Sequence, residues 1–425
     1  MSAHGFTGTP KVGLPMGKPE ELGFSSERLG RIGPVMQRYI DSRMAPGILT
    51  VIARHGRVVH FDTRGFMDIE ARKPLADDTI FRVMSMTKPI ACAGLMMLYE
   101  EGHFLLDHPI SGYLPSFKNM MVKGRRGMTE PARREITFRD CLTHTAGFSA
   151  EEWVKIASRL SQEVPPQKPV VPGTQGKAIN QPEQQGTLGE AVEMLSKAPL
   201  NFHPGTDWEY HPGHEVVGAL IEKISGQSLD KYLEERILDP LKMVDTHFYL
   251  PNEKAGRLAA LYTVDENEWG KIGLIDCPAT SAKVLGPKTY FSAGGGLLST
   301  AADYARFAQT LLNGGMLDGA RILGRKTIEL MTMNHTGDFN IYPEGPGYGY
   351  GLGVSVRLSL SSAPLIGTPG SYGWNGAHIT YYLADPKEDL FGLMFTQVAN
   401  AQRTGQHRGM RADFDRMMYQ ALVGD

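Results

Sequence analysis

Ser85 and Lys88 stand three residues apart in Phe81-Arg82-Val83-Met84-Ser85-Met86-Thr87-Lys88-Pro89. On a helix that spacing sets both side chains on one face, about one turn apart. A serine hydroxyl is a poor nucleophile until a neighbouring base takes its proton. A lysine can be that base where burial or a second cation favours its neutral amine. The stretch Pro89 to Leu98 that follows has no polar face, so a core helix is expected there, closing at Gly102. Ser85 would then lie at its N-terminal end, where the helix dipole favours developing negative charge. The plainer reading of the pair is a helix cap beside a surface lysine. Ser228-Leu229-Asp230-Lys231 fits the same expression. Ser228 follows Gly226-Gln227 and opens a polar-faced helix, so it reads as an N-cap.

Other catalytic layouts are missing. There is no G-x-S-x-G elbow of an α/β-hydrolase and no H-E-x-x-H metal motif. His211 and His214 are three apart, but Pro212-Gly213 between them spoils a helical ligand pair. No metal or cofactor is expected. The three cysteines, Cys92, Cys141 and Cys277, are widely spaced in 425 residues and suggest neither a disulfide framework nor a zinc site. Cys92 reads as a buried small hydrophobe. Lys and Arg number 44 against 46 Asp and Glu, a net charge of −2 that argues against nucleic acid as a partner. No segment approaches the roughly 18 apolar residues of a membrane span. Met1 to Glu20 lacks the apolar core of a signal peptide, which makes a cytoplasmic protein the expectation. Oligomeric state leaves no mark in the sequence.

The chemistry needs a scaffold, and the chain's patterning suggests one. Ser25 or Ser26 caps a helix through Ile40 that Pro34 should kink. Residues 47–65 read as a hairpin turning at His55-Gly56. Helices are expected at 137–143, 188–197, 213–225, 228–237, 300–313, 325–333 and 407–422. Strands are expected at Tyr348 to Val356, Ala377 to Leu383 and Leu390 to Thr396. Strands at both chain ends and helices between them point to an α+β fold. One antiparallel sheet would be formed by the two ends, flanked by helices, with a mainly helical insertion. The expected division is an arm at 1–24, a sheet domain from 25–85 and 290–425, and a helical domain at 86–289. Within the last, 161–186 is rich in Pro, Gln and Gly and reads as a surface insertion or lid.

Five segments in fixed order then carry a resemblance. They are Ser85-Met86-Thr87-Lys88-Pro89, the stretch Leu142 to Phe148, Tyr210-His211-Pro212, the stretch Phe291 to Thr300, and Gly373-Trp374-Asn375-Gly376-Ala377. Over roughly residues 20–420 the chain resembles the family VIII carboxylesterases, serine esterases with the fold of class C β-lactamases and penicillin-binding proteins. The resemblance implies a β-lactamase-like fold and a catalytic group of Ser85, Lys88 and Tyr210. The phenol of Tyr210 would share in moving the Ser85 proton. It implies an oxyanion hole from the backbone N–H groups of Ser85 and Ala377, with Trp374, Asn375 and Gly376 binding substrate.

Two departures from the β-lactamases bear on substrate. Their Lys-Thr-Gly is replaced by Trp374-Asn375-Gly376, and their Tyr-x-Asn by Tyr210-His211-Pro212. Both changes remove polar contacts that suit a β-lactam, while Trp374 offers an apolar wall. His378, beside Ala377, is a candidate for restoring the missing positive charge. The expected activity is hydrolysis of a small-molecule ester, with short acyl chains or aryl groups, through an acyl-enzyme. A β-lactamase or D-amino-acid peptidase, an acyltransferase, and a non-catalytic penicillin-binding-like module are the rival readings.

Overall fold

The computed structural model describes residues 12–124, 127–161, 186–210, 212–264, 272–342, 344–363, 365–401 and 406–424. Most of the expected lid, the first part of the arm and His211 lie outside them.

The sheet starts with β1 (Gly47–Arg54) and β2 (Arg57–Asp68). His55 and Gly56 join them with φ of 51° and 73°, the positive values that a twisted two-residue hairpin turn requires. A short β3 (Lys73–Pro74) completes that edge. The remaining strands come from the far end of the chain: β4 (Tyr348–Tyr350), β5 (Ser355–Arg357), β6 (Tyr372–Gly376), β7 (Thr380–Asp385) and β8 (Leu390–Phe395). Their order across the sheet is β4-β5-β6-β7-β8-β1-β2-β3, antiparallel throughout. The two ends of the chain meet where Leu49 lies opposite Phe395 and Val51 opposite Leu393.

The helices that frame the sheet and the site are α1 (Ile32–Asp41), α2 (Thr87–Glu100), α3 (Phe138–Thr143), α4 (Gly213–Ser225), α5 (Ala301–Leu312) and α6 (Gln406–Ala421). Strand side chains alternate between faces. Ile48 and Ile52 of β1 therefore join Met36 of α1 and Phe414 of α6 in one core. Leu49 and Val51 join Ile90 and Leu95 of α2 and Phe307 of α5 in another. Every residue of β1 is buried because both faces are covered. In α2, each residue from Thr87 to Leu98 is buried, and the run Pro89 to Leu98, with no polar face, demands it. Gly102, at φ 84°, turns the chain after it. The α+β fold with a sheet built from both chain ends is the architecture expected from the sequence.

Several local expectations are corrected. The first helix is two, Ser26–Leu29 and α1, broken at Gly30-Arg31. Pro34 is the third residue of α1, where no N–H is needed for the helical ladder, so it does not kink the helix. The stretch Tyr348 to Val356 is a hairpin of β4 and β5. Gly353 turns there at φ 93°, and a Cβ on it would meet Cys92 Sγ at 2.6 Å. The helix expected at 228–237 is α-helical only over Leu229–Leu233 and widens into a π-turn at Glu234–Leu238. A helix at Ala150–Ser161 has no counterpart among the expected elements. No helix of the described residues is long and apolar enough to cross a membrane.

Candidate active site

Ser85 sits in a 3-10 turn, Met84–Met86, that runs directly into α2. The residue before it, Met84, has φ of 50°, a backbone state that costs a non-glycine residue about 1–2 kcal/mol. Such strain gathers at functional sites. Two contacts anchor the approach to this turn. Phe81–Arg82 pairs with Leu298–Ser299, and the Thr380 hydroxyl donates to the Val83 carbonyl at 3.0 Å.

Lys88 lies one turn on and is buried, 4% exposed. Its Nζ donates to Ser85 Oγ at 2.9 Å and to the Gly294 carbonyl at 2.6 Å. Tyr210 Oη is 2.7 Å from Ser85 Oγ. Lys88 Nζ is also 4.8 Å from the centre of the Tyr210 ring. Three residues expected to act together are thus within hydrogen-bond reach of one oxygen. The second Ser-x-x-Lys behaves differently. Ser228 Oγ donates to Asp230 at 2.5 Å, and Lys231 pairs with Glu234 at 2.5 Å.

Tyr210 leads into α4 and is held by rings. The His144 ring is 4.6 Å away and that of Trp374 5.7 Å. His144 ends α3 in the left-handed conformation at φ 63° and lies 4.5 Å from His214. Trp374, expected as an open wall, is 3% exposed and packs with Trp208, Ile341 and Tyr350. Its placement supports Tyr210. Asn375 points to the other face of β6, where its amide donates to Glu344 at 2.8 Å. Glu344 also pairs with Arg411 of α6 at 2.8 Å.

Gly376 ends β6 against the strained turn. A Cβ there would overlap the Val83 carbonyl and the Thr380 hydroxyl and stand 3.2 Å from Met84 Cβ. This close approach brings Ala377, the next residue, toward the Ser85 turn. Gly376→Ala is expected to destabilise the protein by about 1–3 kcal/mol, the usual cost of overpacking. Thermal denaturation measures it; an unchanged Tm would mean that the end of β6 does not rest on Val83.

Two further side chains carry weight. His378 is buried, and burial, with Arg82 and Lys283 nearby, pushes its imidazole down to about 3. It is neutral at pH 7 and supplies no positive charge, which removes it as a substitute for the lost lysine. Glu215 on α4, absent from the sequence reading, is buried beside the Gly294 loop. Its signal was a single carboxylate heading the apolar run Val216 to Ile221. Among the described residues no group of three or more His, Cys, Asp or Glu is disposed to hold a metal ion.

Comparison with known proteins gives this geometry a context. The family described as Beta-lactamase matches residues 36–414. Esterase EstB from Burkholderia gladioli is 26% identical over 393 residues, which span 88% of this chain and 92% of EstB. A putative D-alanyl-D-alanine carboxypeptidase from Escherichia coli (strain K12) is 26% identical over 405 residues, 90% of this chain and 85% of that protein. Among solved structures, EstCE1, described as a hydrolase with promiscuous acyltransferase activity, matches with a TM-score of 0.72 at 25% identity. That match covers 92% of this chain and 99% of EstCE1.

Proposed function

The chain belongs to the beta-lactamase family, and from that membership we propose a carboxylesterase: a serine hydrolase cleaving short-chain or aryl esters through an acyl-enzyme on Ser85. The observation that carries the reading is the meeting of Lys88 Nζ and Tyr210 Oη at Ser85 Oγ, at 2.9 and 2.7 Å. In this reading Lys88 and Tyr210 take the Ser85 proton as Oγ attacks the ester carbonyl. The tetrahedral oxyanion is held by the N–H groups of Ser85 and Ala377. Tyr210 returns the proton to the departing alcohol. Water, activated beside Tyr210, then releases the acid. Trp374 shapes the substrate side by backing Tyr210, and Gly376 by letting Ala377 approach, while Asn375 is turned away onto Glu344.

The similarity to esterase EstB supports ester cleavage, and the absence of a Lys-Thr-Gly speaks against a β-lactam substrate. The description of EstCE1 favours a second outcome for the same acyl-enzyme, transfer to an alcohol in place of water.

Turnover of p-nitrophenyl butyrate, with and without Ser85→Ala, tests the reading. A fluorophosphonate probe is expected to label Ser85 and to leave Ser228 untouched. Ser85 Oγ is hydrogen-bonded to both Lys88 Nζ and Tyr210 Oη, whereas Ser228 donates to a carboxylate on an exposed turn. Mass spectrometry placing the label on Ser228 would overturn the assignment.

A further inference from the structure

Glu215 is 6% exposed in a helix that also buries His214, Val216, Val217, Leu220 and Ile221. A buried carboxylate is costly unless its oxygens are satisfied. Here they are met from one segment. Ser292 Oγ donates to Oε1 at 2.5 Å, the Gly294 N–H to Oε1 at 3.3 Å, and Tyr290 Oη to Oε2 at 3.5 Å. A Cβ on Gly294 would lie 2.6 Å from Oε1, so only glycine admits the carboxylate this closely. The same Gly294 offers its carbonyl to Lys88 Nζ at 2.6 Å. One peptide segment is thus gripped by Glu215 through its N–H and by Lys88 through its C=O.

We propose that Glu215 is a positioning residue for Ser85, Lys88 and Tyr210: its ionised carboxylate holds the Gly294 carbonyl on Lys88 and is the buried negative charge that Lys88 faces. This rests on the esterase reading above. Cys92 faces Lys88 from its own helix, and burial pushes its thiol up, so it brings no charge. Burial likewise keeps Tyr290 and Tyr350 protonated. His144 and His214 lie on the Tyr210 side, and Glu222 acts on Tyr290. Burial raises the Glu215 carboxyl above its ordinary value, against the opposing pull of Ser292 and Lys88.

The test is the pH profile of kcat/KM on p-nitrophenyl butyrate. If the ionised form is needed, activity falls as Glu215 takes up a proton, so Glu215 contributes to the acid limb. Glu215→Gln removes that titration, which moves the acid limb to lower pH, by about one unit. The plateau should fall by up to about 100-fold as Lys88 loses its seat. Ser292→Ala removes a hydrogen bond that favours the carboxylate, so its acid limb should move to higher pH.

Opposite shifts support the proposal. A lowered plateau with both limbs unmoved would reduce Glu215 to packing and overturn it. Should Glu215→Gln fail to fold, Ser292→Ala decides: an upward shift supports the proposal and no shift overturns it. Failure of the esterase reading is seen separately, as wild-type protein whose Ser85 neither turns over ester nor takes the fluorophosphonate label.

Discussion

Ser85→Ala, Lys88→Ala and Tyr210→Phe are each expected to lower kcat on p-nitrophenyl butyrate by about 10²–10⁴-fold, the scale of general acid–base catalysis, or more for the nucleophile. The three side chains meet at one oxygen, so each variant disables the same proton transfer. The losses should therefore not add: the triple variant should resemble the worst single one. Tyr210→Phe is the most informative, because it removes only the phenolic oxygen and leaves the ring on His144 and Trp374. Retention of more than about a tenth of the wild-type rate would mean that Tyr210 is not part of the proton path.

Small aryl or alkyl esters should show a specificity constant about one to three orders of magnitude above that of any penicillin or cephalosporin. The expectation comes from two absent contacts, the Lys of Lys-Thr-Gly and the Asn of Tyr-x-Asn. A hydrogen bond to a charged group such as the lysine is worth roughly 1.5–3 kcal/mol and a neutral one such as the Asn amide's about 0.5–1.5 kcal/mol, and about 1.4 kcal/mol is a factor of ten. Neither His378 nor Arg411 fills the gap. His378 is neutral, and Arg411 is paired with Glu344 at 2.8 Å. Residual β-lactam opening remains compatible, since nucleophile and oxyanion donors serve both reactions. Steady-state kinetics on p-nitrophenyl butyrate and nitrocefin measure the ratio. A nitrocefin value equal to the ester value would replace the esterase reading with a β-lactamase.

Much of this architecture is legible in the sequence. The hairpin at 47–65 announces itself through β-rich runs around His55-Gly56, and α2 through an apolar run with no polar face. Both signals are local, and both elements form where expected. What stayed hidden depends on contacts between distant segments. Trp374 reads equally as a cleft wall or a core anchor until Tyr210, Trp208 and Tyr350 are seen around it. His378 reads as a potential cation until its burial is known. Glu215 looks like an ordinary helical glutamate until the Gly294 loop closes on it. The strain at Met84 has no sequence signature, because any residue can be forced to positive φ by its neighbours. Pro34 misleads in the other direction: its effect depends on its place in the helix, and the helix begins later than its apolar pattern suggests.

The junction of β1 with β8 has a consequence for biosynthesis. β1 can pair with β2 as soon as both leave the ribosome, yet its other edge waits for Leu390–Phe395. At roughly 5–20 residues added per second, Phe395 follows Leu49 by on the order of tens of seconds. During that interval a nascent strand whose eight residues are all destined for burial presents an unpaired edge. The Ser85 turn shares the delay, since Gly376 and Thr380 reach Val83 only when the same late strands arrive. A partly made chain therefore carries Ser85 long before the backbone that packs on its turn, and the surroundings of that side chain are completed only once β6 to β8 have been made.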